Sequence, residues 1–377
     1  MRDDTHPRSA TMSLSDAPAL GDVRARAYRV PTDRPEADGT YAWTATTIVV
    51  VEIDAGPVTG LGYTYTDASA AALATSLLAD VLRGRPLADV PAAVDALWRA
   101  VRNVGRAGVA ATAISALDVA LWDAKAKLAG VPLATLLGRR RERVPVYGSG
   151  GFTTYDAATL AAQLGGWRDE GIRACKIKIG VQDACDPARL QTARDALGAD
   201  VALFVDANGA YSARTALAFA DRAARYDVRW FEEPVSSDDV AGLRFVREHV
   251  GARVDVAAGE YAYTPDDFRR LLEAGAVDVL QADATRCGGV SGFLAAGALA
   301  DAYHVDLSAH CAPALHRHVG CVAPRMRHVE WFHDHVRIER MLFDGAPPLS
   351  DGALEIDAGR PGLGLELRTA DAQRYAI

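Results

Sequence analysis

No apolar run in this 377-residue chain approaches the roughly 20 residues that cross a bilayer. The opening residues, MRDDTHPRSATMSLSDAPAL, lack the apolar core of a signal peptide. Positive charge is in deficit too: 41 Lys and Arg stand against 49 Asp and Glu, a formal net charge of −8. That argues against a nucleic-acid binder, which needs a basic excess to neutralise phosphates. Cysteine is scarce and odd in number, and Cys175, Cys185, Cys287, Cys311 and Cys321 show no paired metal spacing. Reduced thiols in a cytoplasmic protein are the simplest account. What the chain does have is apolar substance, 50% of its residues, enough for a large buried core. Its length exceeds one ordinary core and suits a barrel plus a second domain.

Residues 1–21 read as a flexible extension, with Met12 as an alternative start. Residues 22–143 read as an α+β unit. TATTIVVVEIDAG and GLGYTYT look like two strands joined by a Gly/Pro turn. The stretch VPTDRPEADGTYA, between Arg29 and Trp43, is rich in turn formers and reads as a loop. Helical patterns follow, the longest being VAATAISALDVALWDAKAKLAG, which ends on Gly130 as a C-cap.

From Val144 the texture changes. VPVYGSGG, ACKIKIG, ALFVDAN, VRWFEEP, VDVAAGE, VDVLQAD, VDLSAHC and RHVEWF are short, continuous apolar runs separated by helical stretches. Each looks like a strand buried on both faces, as parallel sheets require. Eight of them with intervening helices predict a (β/α)-type TIM-like barrel over 144–342. The segment 343–377 has no further βα unit to build and is expected to return to the cap.

Polar residues collect at the ends of these strands. Asp206, Glu232 and Glu260 end three successive runs, 26 residues apart (206 to 232) and then 28 (232 to 260). A βα unit takes roughly 30 residues, so one carboxylate falls at each of three neighbouring strand tips. Three hard oxygen donors converging at a barrel mouth suit Mg²⁺. Lys176 and Lys178, two apart in one strand, point the same way, toward the barrel axis. Two ammonium groups beside each other and a cation should have depressed pKa values, as a lysine base needs. Later strands end in Asp283, His310 and Glu330. Asn208, Tyr261 and Arg286 stand beside these tips as candidates for substrate or supporting contacts. Glu233 points away from Glu232, which favours a structural role. His333, Asp334 and His335 resemble a metal H-x-H but follow the last strand and lack an oxygen set of their own, so they read as a loop. His316 and His318 are similar and border the pocket.

This pattern resembles the enolase superfamily and, within it, the mandelate racemase subgroup. The resemblance spans nearly the whole chain and rests on the K-x-K of Lys176 and Lys178, the ligand series Asp206, Glu232 and Glu260, then Asp283, His310 and Glu330, all in order at barrel spacing. It implies a (β/α)₇β barrel whose N-terminal α+β capping domain is completed by the C-terminal segment. It implies Mg²⁺ on Asp206, Glu232 and Glu260, and an enediolate formed by removing the α-proton of a carboxylate substrate. Lys178 would be one acid/base and His310, paired with Asp283, the other. Lys176 would touch the substrate carboxylate, and Glu330, protonated, would donate to it. A lysine on the sixth strand would mark the muconate-cycloisomerase or dipeptide-epimerase subgroups, and Asp283 stands there instead.

The expected reaction is dehydration of an acid sugar, an aldonate or aldarate, to a 2-keto-3-deoxy acid. Racemisation or epimerisation of a 2-hydroxy acid is the alternative, because the same two bases serve. The polar, charged cap segment between Arg29 and Trp43 favours a polyhydroxy acid. A metal-dependent amidohydrolase would need an H-x-H on the first strand, and VPVYGSGG has none. A barrel kept only as a binding scaffold would not be expected to retain the full acid/base set. Identical subunits are the expected partners.

Overall fold

A computed structural model describes residues 17–181 and 186–377. Cys185 and residues 1–16 of the expected extension lie outside the described residues. Eight parallel strands form the barrel: β4 (Arg143–Gly150), β5 (Ala174–Lys178), β6 (Ala202–Asp206), β7 (Val228–Glu232), β8 (Asp255–Ala258), β9 (Val279–Ala282), β10 (Asp306–Ala309) and β11 (Met326–Phe332). Each pairs with the next, and β11 returns to β4 with Glu330 opposite Tyr147, closing the ring. The strands read as continuous apolar runs because their outward residues, such as Cys175 and Ile177, are covered by helices while the inward ones meet across the axis. Below the mouth the axis is plugged by Tyr147, Phe204 and Trp230, with the last two rings stacked at 5.1 Å.

Side-chain caps start several of the covering helices. Asp156, Ser212 and Asp239 accept from the backbone N–H three residues on, and Thr264 with Asp267 makes a capping box. Each cap ends a loop at the barrel mouth, where the functional side chains lie.

The cap is a three-stranded antiparallel sheet in the order β1 (Leu20–Ala37), β2 (Ala42–Ala55) and β3 (Val58–Tyr65). The helix Val109–Leu128 packs on β3. That packing depends on two glycines: a Cβ on Gly60 would lie 2.0 Å from the Ala120 carbonyl oxygen, and one on Gly62 2.0 Å from that of Ala116. The same helix grips the barrel through Asp118, which accepts from the Ser291 backbone N–H at 3.1 Å and its hydroxyl at 2.5 Å.

The stretch from Val30 to Ala42 is not the loop its composition predicts. It continues β1 as far as Ala37, and the turn is confined to Asp38–Tyr41. β1 is a sheet edge, so Pro31 and Pro35 need break no inter-strand ladder, and the register slips between Pro31 and Glu36 to absorb them. The Asp38 carboxylate closes the turn by accepting from the N–H groups of Thr40 (2.6 Å) and Tyr41 (2.8 Å). The tail touches both units: Ala353–Glu355 pairs antiparallel with β4, and Ala376 bridges Tyr28 of β1. Among the described residues, no helix is long and apolar enough to cross a membrane.

Candidate active site

At the C-terminal ends of β6 and β7 and just beyond β8, Asp206, Glu232 and Glu260 are buried together, with one carboxylate oxygen from each lying within 4.8 Å of the others. On one flank stand the two lysines of β5. Strand alternation sends both inward, as expected. Lys178 Nζ donates to Asp206 Oδ2 at 2.6 Å. Lys176 Nζ is bonded to Glu232 and lies 3.3 Å from Asp206 Oδ2 and 2.9 Å from Glu330 Oε1. On the other flank His310 Nε2 lies 3.2 Å from Glu260 Oε2, while its Nδ1 donates to Asp283 Oδ2 at 2.8 Å. The mouth thus holds a carboxylate cluster between an ammonium pair and an imidazole–carboxylate pair.

Charge accounting among the side chains alone bears on two expectations. The lysines were expected to be depressed. Burial does push the Lys176 ammonium down, but Glu232 and Glu330 outweigh it and hold it well above its usual value. Lys178 is raised in the same way, burial being overcome chiefly by Asp206. Among the side chains alone, the lysines balance the carboxylates. Glu330 was expected to be protonated. Burial is outweighed by Lys176 and His310, so its carboxyl is held well below the usual range, and it accepts from the Cys311 N–H at 2.9 Å. Glu232, by contrast, is pushed up to about 8, first by burial and then by Asp206. Burial opposes the charge on His310, yet the imidazole is raised well above its ordinary value by Cys311, Glu260 and Glu330. Asp283 stays ionised against burial because His310 donates to it.

Arg286 joins the two halves of the site. Its guanidinium donates to the Glu260 carbonyl at 3.0 Å, lies 3.6 Å from Asp283 Oδ2, and covers the Tyr261 ring at 5.4 Å. The Asn208 N–H donates to Asp206 Oδ1 at 2.9 Å, orienting that carboxylate. Glu233 is buried with Oε1 unpartnered among the described residues, and its pKa is raised by burial and then by Glu260.

The backbone at the tips is unusual. Asn208 (φ 46°), Glu233 (φ 36°), Cys311 (φ 56°) and Ala312 (φ 40°) are all left-handed, each just beyond a site residue. His316 braces the last two: its Nδ1 donates to the Cys311 carbonyl at 2.7 Å and its Nε2 accepts from the Ala284 N–H at 2.9 Å. Sequence reasoning placed His316 only at the pocket's edge and overlooked Cys311, whose Sγ is 3.3 Å from His310 Nε2. The one available signal was its adjacency to His310. His318 lies elsewhere, tying Ala134 to Leu363. The H-x-H divides: His335 turns inward and stacks on Tyr65 with centroids 3.4 Å apart, while His333 faces Asp33 of β1.

Above the lysine flank sits the cap turn. A Cβ on Gly39 would lie 2.4 Å from the Ala207 carbonyl oxygen and 2.7 Å from that of Ile179, so the turn rests directly on the tips of β5 and β6.

The donor set fits Mg²⁺: three buried carboxylates, all hard oxygen, on adjacent strand tips. Residues 20–138 match the family model for the mandelate racemase / muconate lactonizing enzyme N-terminal domain, and residues 158–372 match the enolase C-terminal domain-like model. The L-talarate/galactarate dehydratase of Salmonella typhimurium is 34% identical over 79% of this chain and 73% of its own length. Its crystal structure with Mg and L-lyxarohydroxamate superposes with a TM-score of 0.88 at 29% identity, covering 100% of this chain and 97% of that one. The 3,6-anhydro-alpha-L-galactonate cycloisomerase of Streptomyces coelicolor is 32% identical over 94% of this chain and 99% of its own. A mandelate racemase/muconate lactonizing enzyme-like protein from Rubrobacter xylanophilus has a TM-score of 0.94 and 47% identity, over 96% of this chain and 100% of that one. With both halves of the fold matched and the strand-tip residues gathered in one mouth, the chain belongs to the mandelate racemase / muconate lactonizing enzyme family of the enolase superfamily.

Proposed function

We propose that this protein is a Mg²⁺-dependent lyase that removes the α-proton of an acid sugar and expels the β-hydroxyl, giving a 2-keto-3-deoxy acid after tautomerisation. One observation carries the reading: Lys178 and the His310–Asp283 pair flank a buried three-carboxylate cluster from opposite ends. Asp206, Glu232 and Glu260 would hold Mg²⁺, which when bound stabilises negative charge growing on the substrate carboxylate. Lys178, its Asp206 partner then committed to the cation, would be free to lose its own proton and take the α-proton at Nζ. His310, with Nδ1 committed to Asp283, presents Nε2 and would protonate the departing hydroxyl, which leaves as water. Lys176, pinned by Glu232 and Glu330, would supply fixed positive charge beside the substrate carboxylate. The sugar-acid names of the dehydratase and cycloisomerase relatives support this substrate class.

Incubation with a library of aldonates and aldarates at saturating Mg²⁺, assayed for 2-keto-3-deoxy product, tests the proposal. No product from any of them would sink it. The same two flanking groups also suit 1,1-proton transfer in a 2-hydroxy acid, since racemisation needs one group on each face. Solvent deuterium entering the α-carbon with every hydroxyl retained would select that second reading.

A further inference from the structure

His333 was read from sequence as a loop residue without oxygen donors, but the fold supplies them. The edge strand β1 brings Asp33 and Glu36 to the first residue of the helix His333–Leu342, and one donor atom from each of the three residues lies within 4.8 Å of the others. His333 Nε2 stands 3.1 Å from Asp33 Oδ2 and 3.2 Å from Oδ1.

Glu36 is the telling member. It is 0% exposed, and while its Oε2 accepts from Trp43 Nε1 at 2.8 Å, its Oε1 has no hydrogen-bond partner among the described residues. A buried carboxylate without a counter-charge is costly. The cations nearby are engaged elsewhere: Arg337 donates to Asp334 and to the Pro31 carbonyl, and Arg34 to Thr159. Burial first, then Asp334 and Asp33, push the Glu36 carboxyl up to about 9. Either a proton or a bound cation would relieve that cost, and the unpartnered Oε1 beside Asp33 and His333 leaves room for the second.

We propose that Asp33, Glu36 and His333 form a second metal site, for a divalent ion of the zinc type. One imidazole nitrogen and two carboxylates are a borderline donor set suited to Zn²⁺ with water completing the shell, whereas the all-oxygen strand-tip cluster suits Mg²⁺. The site joins the cap to the end of the last barrel strand. Its occupancy would clamp β1, and the Asp38–Tyr41 turn that follows it, against the barrel.

The test is equilibrium dialysis of the full chain against Zn²⁺ in a large excess of Mg²⁺, followed by elemental analysis and thermal melting. Wild type should retain one zinc ion per chain more than His333→Ala, and zinc should raise the melting temperature of wild type but not of the variant. Asp33→Asn, at an exposed position, serves if His333→Ala does not fold, and should lose the same zinc. Equal zinc content in wild type and either folded variant would overturn the site. So would a wild type that binds none, leaving Glu36 simply protonated.

Discussion

Lys178 and His310 reach the same carboxylate cluster from differently built supports. Lys178 is the last residue of an ordinary strand, placed by pleat alternation, and its Nζ meets Asp206. His310 stands at the start of a left-handed turn, with Asp283 on its Nδ1 and His316 bracing the next carbonyl. Asp283 is itself fixed by the Thr285 N–H at 2.7 Å. One flank is positioned by regular geometry and tuned by charge; the other is positioned by a hydrogen-bond network and strained backbone. The first kind of support should tolerate neighbouring substitutions that the second does not.

Removing the proposed acid/base groups gives the largest expected effect. Lys178→Met and His310→Asn should each lower turnover by roughly 10²–10⁴-fold. They should differ in one respect: α-proton exchange with solvent, followed by NMR in D₂O, persists in His310→Asn and disappears in Lys178→Met. Exchange surviving only in the lysine variant would reverse the assigned roles. Next comes Asp283→Asn. Loss of that carboxylate weakens the charged imidazole, so the His310 pKa falls. The high-pH limb of kcat, where a protonated His310 is lost, should move to lower pH by roughly one to three units. An unmoved limb would uncouple the pair.

His316→Ala probes the brace alone. It strands the Ala284 N–H and the Cys311 carbonyl, and should cost roughly 1–3 kcal/mol in chemical denaturation. Stability equal to wild type would mean the histidine flank is not held by this network. Gly39→Ala is the smallest perturbation and falls on the lysine flank. Its Cβ would meet backbone oxygens at 2.4 and 2.7 Å, lifting the cap turn. KM should rise about tenfold, near the low end of overpacking costs, with the melting temperature little changed. A loss of kcat at unchanged KM would place Gly39 in the chemistry rather than in closure.

The same contrast explains what could be read from the chain. Asp206, Glu232, Glu260 and Lys178 were legible because a strand tip recurs at the length of one βα unit and side chains alternate along a strand. His310 and Asp283 stood out as polar ends to apolar runs. Their support did not: the left-handed turn at Cys311 and Ala312 carries no glycine to announce it, and His316 acts through two backbone atoms far apart in sequence. Protonation at Lys178 and Glu330 was not legible because it depends on the sum of neighbours in three dimensions, which spacing along a chain does not reveal. The long β1 was missed because prolines mark loops by default, and nothing local shows that a strand will lie at a sheet edge. For the same reason His333 looked solitary while Asp33 and Glu36 were 300 and 297 positions away.

Gly60 and Gly62 give the cap a further consequence. With helix carbonyls where their Cβ atoms would be, β3 and the helix Val109–Leu128 cannot shift past one another without opening the core. The Asp38–Tyr41 turn has no such lock beyond Gly39. Tyr41, 68% exposed, meets the sheet only at its rim, where its ring stacks on Trp43 at 6.1 Å. Divergence toward a new substrate can therefore run through a turn of a few residues while the scaffold stays constant. A library randomised at Thr40 and Tyr41 should yield folded proteins at high frequency, and one randomised at Gly60 and Gly62 almost none.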